Sequence, residues 1–342
     1  MENKKVLVTG GAGFIGGNFV QYMVDKYPDY DIYNLDLLTY AGDLTKHSSI
    51  EKKENYHFIK ADIAERKVIM ELFEKEKFDF VVHFAAESHV DRSIKNPEIF
   101  VVTNVLGTQV LLDAAKEHEI IKFVHVSTDE VYGELNFNPE TFFTEETPLQ
   151  PNSPYSASKA SSDMLVRAYY ETYNLPINIT RCSNNYGPYH FPEKLIPLTI
   201  SRVMNDKKVP VYGDGKNIRD WLHVIDHCAA IDLVLHEGEN GEVYNVGGHN
   251  ERTNLEVVKT IISNLGKSED LIEFVEDRLG HDKRYAIDPT KLEKMGWKPT
   301  YNFDTGITQT IQWYLENKEW WEQIINGEYQ KYFDKQYKNI NK

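Results

Sequence analysis

Residues 6–20 read VLVTGGAGFIGGNFV. The opening residues are apolar and β-branched, as a buried strand over 4–10 requires. The closing residues have the apolar spacing of a helix over 14–26. Between them Gly10, Gly13 and Gly16 are spaced G-x-x-G-x-x-G. That pattern lets a chain reverse tightly, bring its backbone against a pyrophosphate and seat the helix close to the strand. The helix N-terminus then presents free N–H groups and partial positive charge to phosphates. Strand, glycine turn and helix together mark the start of a dinucleotide-binding βαβ unit.

The next strand, YDIYNLD (30–36), ends at Asp36, about twenty residues beyond the last glycine. An acid there accepts hydrogen bonds from the adenosine ribose and repels a 2′-phosphate, so the expected cofactor is NAD rather than NADP. The segment ADI (61–63), with Asp62 and Ile63, is expected to flank the adenine.

Further strands are expected at 56–62, 78–86, 120–128 and 176–182, with helices at 65–76, 97–118 and 154–174 between them. Strands alternating with helices imply a parallel, doubly wound Rossmann-type sheet with helices on both faces. After about residue 183 the rhythm breaks into short elements with Gly and Pro. Helical stretches at 194–205, 224–236 and 254–265 sit among them. The expected organisation is an NAD-binding domain over 1–183 plus roughly 217–240. A smaller, discontinuous α/β substrate-binding domain takes 184–216 and 241–330. The segment DWLHVIDHCAAIDLVL is expected to return to the first domain, and the tail from Tyr314 to dock as a helix with a frayed basic tip.

The 342 residues carry a formal net charge of −15, which disfavours binding to nucleic acid. Cys182 and Cys228 lack metal-ligand spacing and are too few for a disulfide framework, so no metal and a reducing, cytoplasmic setting are expected. Cys182 reads as buried packing rather than a nucleophile. The N-terminus does not read as a signal peptide, and no stretch reads as a membrane span.

PNSPYSASKASSDML opens a helix, with Ser153 as N-cap and Pro154 at the first helical position. Tyr155 and Lys159 then share one face. An ammonium beside a phenol favours tyrosinate, so the pair is expected to lower the phenol's pKa and remove a proton from an alcohol as hydride leaves the carbinol carbon. Upstream, STDEVYG (127–133) leaves a buried strand with Thr128, Asp129 and Glu130, two acids where a turn residue suffices.

The order of T-G-x-x-G-x-x-G (9–16), strand-end Thr128 and Tyr155 with Lys159 resembles the extended short-chain dehydrogenase/reductase family over almost the whole chain. Within it, FAAESHVDRSI (84–94), STDEVYG, RCSNNYGPYHFPEKLIP (181–197), NIRDWLHVIDH (217–227), GHDKRYAID (280–288) and WYLENKEWW (313–321) resemble the nucleotide-sugar 4,6-dehydratases. The resemblance implies a hydro-lyase acting on dTDP-glucose with NAD bound throughout; UDP-glucose dehydration and C4 epimerisation are the alternatives. Three steps follow: Tyr155 takes the O4 proton as C4 is oxidised, water is eliminated across C5–C6, and hydride returns to C6. Glu130 is implied as the base at C5 and Asp129 as the acid at C6, with Thr128 at the O4 region. Asp129 must then be protonated near neutral pH, and the strand must end near Ser127 for both acids to reach one sugar.

By the same resemblance Phe14, Ile15, Leu37, Thr39, Phe84, Ala85, Ala86, Ser88, Thr103 and Asn185 line the NAD site. Ser88 and Asn184 contact the hexose or its phosphates. Lys194 and Leu195 open a helix toward the pyrophosphate, and Pro210 and Tyr212 lie against the base. Arg219 forks onto phosphate oxygens, while Asn254, Arg278, His281, Asp282 and Tyr285 close the nucleotide end. The family also implies a homodimer through helices 97–118 and 154–174, and a downstream deoxysugar such as rhamnose.

Overall fold

The computed structural model describes residues 3–277 and 280–325. Seven strands form one all-parallel sheet: β1 (Lys4–Thr9), β2 (Tyr30–Asp36), β3 (Tyr56–Lys60), β4 (Phe80–His83), β5 (Lys122–Thr128), β6 (Ile177–Cys182) and Val243–Val246. Their spatial order is β3-β2-β1-β4-β5-β6 followed by Val243–Val246 at the edge. The order reverses between β1 and β4, and ligands bind outside the strand ends at such a switch point.

Side chains alternate across this sheet as the strand period demands. Val6, Val8, Val124 and Val126 face one core, shared with helix Phe14–Lys26 and helix Val224–Glu237. Leu7, Phe123, Ile177 and Ile179 face the other, shared with helices Arg66–Glu76, Thr108–Glu117 and Pro154–Tyr173. Both faces are therefore covered, which is why these strands read as nearly continuous apolar runs.

The edge strand Val243–Val246 pairs with β6, from Val243 on Ile179 to Val246 on Cys182. It corrects the sequence division, which assigns 241–330 wholly to the second part. Four residues with one tyrosine and one asparagine carry too little periodicity to show as a strand. Helix Val224–Glu237 does return to the first layer. Asp232 there accepts hydrogen bonds from Tyr22 (3.0 Å), Tyr27 (2.9 Å) and Lys26 (2.5 Å) of the first helix region.

The second part holds a three-stranded sheet and a two-stranded one. The first is β7 (Asn184–Tyr186), β9 (Ile218–His223) and Glu251–Thr253; the second pairs β8 (Val209–Tyr212) with Ile272–Val275 in parallel. Its core gathers Tyr186, Trp221, Val257, Phe303, Ile307 and Trp321. The tail folds as two helices, Phe303–Glu316 and Lys318–Ile324; the expected basic tip lies outside the described residues.

Two further expectations change. The helix at 97–118 is not regular: Pro97–Phe100 and Thr108–Glu117 flank a π-helical segment, Val101–Gly107. That run, Pro97–Glu117, is also long and apolar enough to cross a membrane by length and composition, contrary to the reading that no stretch is. Here half of its apolar window is buried within the protein, the ordinary situation of a core helix.

Candidate active site

Gly10 adopts φ +72°, and a Cβ there would stand 2.6 Å from the Ala85 amide nitrogen. A Cβ on Gly16 would stand 2.3 Å from the Gly10 carbonyl oxygen. Helix Phe14–Lys26 begins at Gly13 with no side-chain cap, so no side chain occupies its first-turn amides. At the end of β2 the Asp36 carboxylate accepts from the Ala12 N–H (3.0 Å) and the Leu38 N–H (2.8 Å). Lys46, nearly fully buried, donates to the carbonyls of Ala12 and Gly13, each at 2.8 Å. Burial lowers its pKa to about 8 against the pull of Asp43 and Asp36. This backbone cradle, open helix end and strand-end acid fit NAD.

A cavity of about 620 Å³ runs from this turn across the carboxyl ends of the strands into the second part. The glycine turn with Phe14 and Ile15 forms one end of its wall, beside Asp36, Leu37, Thr39, Asp62 and Ile63. Phe84, Ala85, Ala86 and Ser88 continue the wall after β4, with Thr103 from the π-helical segment and Asn185 from β7. Asn185 is fixed by His227 Nδ1 at 2.9 Å.

The catalytic candidates converge at the middle. β5 ends at Thr128, and a 3₁₀ turn, Asp129–Tyr132, follows immediately. The Thr128 hydroxyl accepts the Glu130 N–H at 3.3 Å and donates to Asp129 Oδ1 at 3.3 Å. Thr128 and Glu130 line the cavity with Tyr155 and Lys159. Asp129, 2% exposed, is buried just behind that wall, and its Oδ2 has no partner among the described residues. Burial first, then the charges of Glu130 and Asp220, raise the Asp129 carboxyl well above the ordinary carboxylate range. The shift favours the protonated carboxyl, the direction an acid requires.

Helix Pro154–Tyr173 is capped by Ser153, whose hydroxyl accepts the Ser156 N–H at 3.1 Å, and it sets Tyr155 and Lys159 one turn apart. The expectation of a lowered phenol is corrected. Burial, followed by Glu130, Cys182 and Asp129, raises Tyr155 well above its ordinary value, and the hydrogen bond with Thr128 opposes the shift. Lys159 Nζ donates instead to the Val126 carbonyl at 2.9 Å.

On the substrate side Asn184, Lys194, Leu195, Pro210, Tyr212, Arg219, Asn254, His281 and Tyr285 reach the same cavity. Lys194 caps helix Leu195–Met204 by backbone only and donates to the Ser88 carbonyl at 3.3 Å. The Arg219 guanidinium lies 4.2 Å above the Tyr285 ring and donates to the Asp282 carbonyl at 2.9 Å. Asp282 stands behind the wall rather than on it, accepting from Asn152 (2.7 Å) and from the Tyr285 hydroxyl. Arg278 lies outside the described residues.

Some wall and support residues carry no sequence signal. Asn104 accepts the Glu87 N–H (2.9 Å) and donates to Ser158 Oγ (2.8 Å), which donates to the Tyr155 carbonyl (2.7 Å). Trp320 donates to Asp43 at 2.6 Å, and the Tyr40 hydroxyl to Glu193 at 3.0 Å, across long sequence separations. A π-helical distortion at a site is a recurring device, yet nothing in VVTNVLG announces one.

An all-parallel Rossmann sheet bearing this glycine turn, a strand-end threonine and the Tyr155–Lys159 pair defines an extended short-chain dehydrogenase/reductase. The family model described as GDP-mannose 4,6 dehydratase matches residues 7–310, and the chain belongs to that family. A dTDP-glucose 4,6-dehydratase of Xanthomonas campestris pv. campestris (strain B100) is 52% identical, covering 94% of this chain and 96% of the relative. The crystal structure of a dTDP-glucose 4,6-dehydratase from Bacillus anthracis str. Ames in complex with NAD is 53% identical, with TM-score 0.88. It covers 94% of this chain and 99% of that one. A Streptomyces venezuelae dTDP-glucose 4,6-dehydratase, with NAD and TDP bound, superposes with TM-score 0.90 at 46% identity, covering 94% and 99%.

Proposed function

We propose that this protein is an NAD-dependent hydro-lyase that converts dTDP-glucose to dTDP-4-dehydro-6-deoxy-glucose. The observation that carries the reading is the acid pair at the end of β5. Glu130 stands on the cavity wall and Asp129, its carboxyl raised by burial, just behind it, both beside Tyr155. A site that only oxidised and re-reduced C4 would need neither acid. The curated relatives and the structures with NAD and TDP support the nucleotide and the sugar.

NAD, when bound, takes up hydride from C4 and gives it back at C6. Burial holds Tyr155 as a neutral phenol in the free site. It takes the O4 proton only as the phenolate that Lys159 and the nicotinamide charge would favour once NAD is bound, with Thr128 polarising the new ketone. That ketone acidifies the C5 proton. Glu130 removes it, while Asp129 protonates the C6 hydroxyl so that it leaves as water. The Thr128 hydroxyl is Asp129's hydrogen-bonded link to the wall. Lys159 supplies positive charge beside the phenol and the nicotinamide ribose. Gly10, Gly13, Phe14, Ile15, Gly16 and Asp36 hold the dinucleotide. Arg219, the amides at Lys194 and Leu195, Asn254 and Tyr285 hold the nucleotide diphosphate.

The proposed division keeps 1–183 and roughly 217–240 with the cofactor, extended by the edge strand Val243–Val246. Two free, buried cysteines support a cytoplasmic location. The homodimer proposed uses the exposed apolar residues Val101 (55%), Leu106 (46%) and Met164 (60%) on the two long helices. A deoxysugar pathway such as that to rhamnose is the proposed use of the product. Incubation with dTDP-glucose and with UDP-glucose, followed by mass and base-labile 4-keto absorbance, tests the reading. Loss of water from the thymidine compound first supports it; only a C4-epimerised sugar overturns it.

A further inference from the structure

Lys159 is 3% exposed, so its ammonium is almost wholly removed from water. A cation so placed needs compensation. Its one direct oxygen partner among the described residues is the neutral carbonyl of Val126, at 2.9 Å. The remaining groups around it come from three strands and its own helix. His125 of β5 places Nε2 3.4 Å from Lys159 Nζ. The same nitrogen lies 3.4 Å from Asp163 Oδ1, one helical turn beyond Lys159. Asp163 Oδ2 accepts from Arg181 Nε of β6 at 2.9 Å. Arg181 in turn donates to the Tyr132 hydroxyl at 3.0 Å.

His83 of β4 stands behind His125, ring centroids 5.2 Å apart, held between the hydroxyls of Thr9 (2.7 Å) and Thr108 (2.9 Å). Cys182 of β6 and Tyr155 complete the set, and burial raises both so that they stay neutral. Burial likewise keeps His125 neutral, lowered to about 4, and drives His83 well below its ordinary value. Apart from Glu130 on the cavity wall, the anion left near the lysine is Asp163, which against its burial is held at about 2 by His125, Arg181 and Lys159. Nothing in the proton transfers above uses Asp163, His125 or Arg181, yet all three are buried, with Asp163 hydrogen-bonded to Arg181 and 3.4 Å from His125.

We propose that Asp163, working through His125, is a positioning residue for the dehydration: it is the counter-charge that keeps the Lys159 ammonium charged and aimed at the cavity wall. The proposal rests on the reaction assigned above. Arg181 partly offsets Asp163 but also fixes the carboxylate, so that Oδ1 stays turned to His125. Burial lowers Lys159, and Asp163, the first group that opposes it, helps to hold the net value at about 8. Without that carboxylate the lysine loses its proton at lower pH, and the reaction fails first on the alkaline side.

The test uses the full chain with lysine Nζ labelled for NMR, Lys159 being assigned by difference with Lys159→Arg. In Asp163→Asn the Lys159 titration midpoint is expected to move down by about one unit or more, and the alkaline limb of kcat to move with it. That is at least about a tenfold loss above the limb and little loss well below it. On the Lys159→Arg background, where the side chain does not titrate, Asp163→Asn should shift no limb. Asp163→Glu should restore part of the wild-type profile. If Asp163→Asn does not fold, the pair Asp163→Asn with Arg181→Met removes both buried charges together and carries the same readouts. An unmoved lysine midpoint, or a kcat lowered equally at all pH values, overturns the proposal. Failure of the wild type to dehydrate dTDP-glucose overturns the assigned reaction instead, and the lysine midpoint still decides this one.

Discussion

At the scale of single residues, burial separates the two acids proposed as proton donor and proton acceptor. Asp129 lies behind the wall and Glu130 on it, although they are adjacent in sequence. Asp129→Asn is expected to slow water loss by about 10²–10⁴-fold while sparing C4 oxidation. A transient reduced-nicotinamide absorbance that forms and persists would show this. Full activity in both Asp129→Asn and Glu130→Gln would remove the basis of the assignment. Tyr155→Phe should abolish turnover and leave substrate binding by calorimetry intact. Thr128, Asp129, Glu130, Tyr155 and Lys159 were legible as candidates because each belongs to a short motif. Their protonation states were only half legible. Motif spacing places Lys159 near the phenol, but the three-dimensional packing gives its Nζ to Val126 and makes burial the dominant influence on Tyr155.

At the scale of elements, the glycine turn is the least tolerant. Gly10→Ala places a Cβ against backbone at 2.6–2.9 Å with φ +72°, where no side chain can move aside. A loss of at least about 1–3 kcal/mol and of retained NAD is expected, read by thermal unfolding and by cofactor release on denaturation. The clasp between helices Phe14–Lys26 and Val224–Glu237 is pH-sensitive in a defined direction. His236 is raised, first by its hydrogen bond with Asp232, so its contribution is fully present below the unfolded value near 6.5. It is lost as pH rises through the folded value. His236→Gln should therefore lower Tm by a few degrees at pH 5.5 and by less at pH 9; an equal effect at both would contradict the linkage. Six sheet strands and the main helices showed in the sequence because periodicity and caps such as Ser153 are local signals. The π-helical segment and the edge strand Val243–Val246 did not, since both depend on partners distant in sequence.

At the scale of the whole molecule, the proposed division gives one lobe the cofactor cradle and the other the nucleotide-sugar wall, with the acid turn on the cavity between them. The cavity joins Gly10 to Tyr285, residues that no sequence window can connect. Leu106→Glu, on the exposed apolar face, should convert a dimer to a monomer in sedimentation while preserving the fold; a wild-type monomer would sink the proposed four-helix interface. The account's central claim is that one site oxidises C4, expels water across C5–C6 and returns the same hydride. Incubation of the wild-type protein with dTDP-glucose deuterated at C4 tests it most directly. The account predicts a 4-keto, 6-deoxy product, one water lighter, with the deuterium at C6. Deuterium retained at C4, in a sugar that has lost no water, would contradict it.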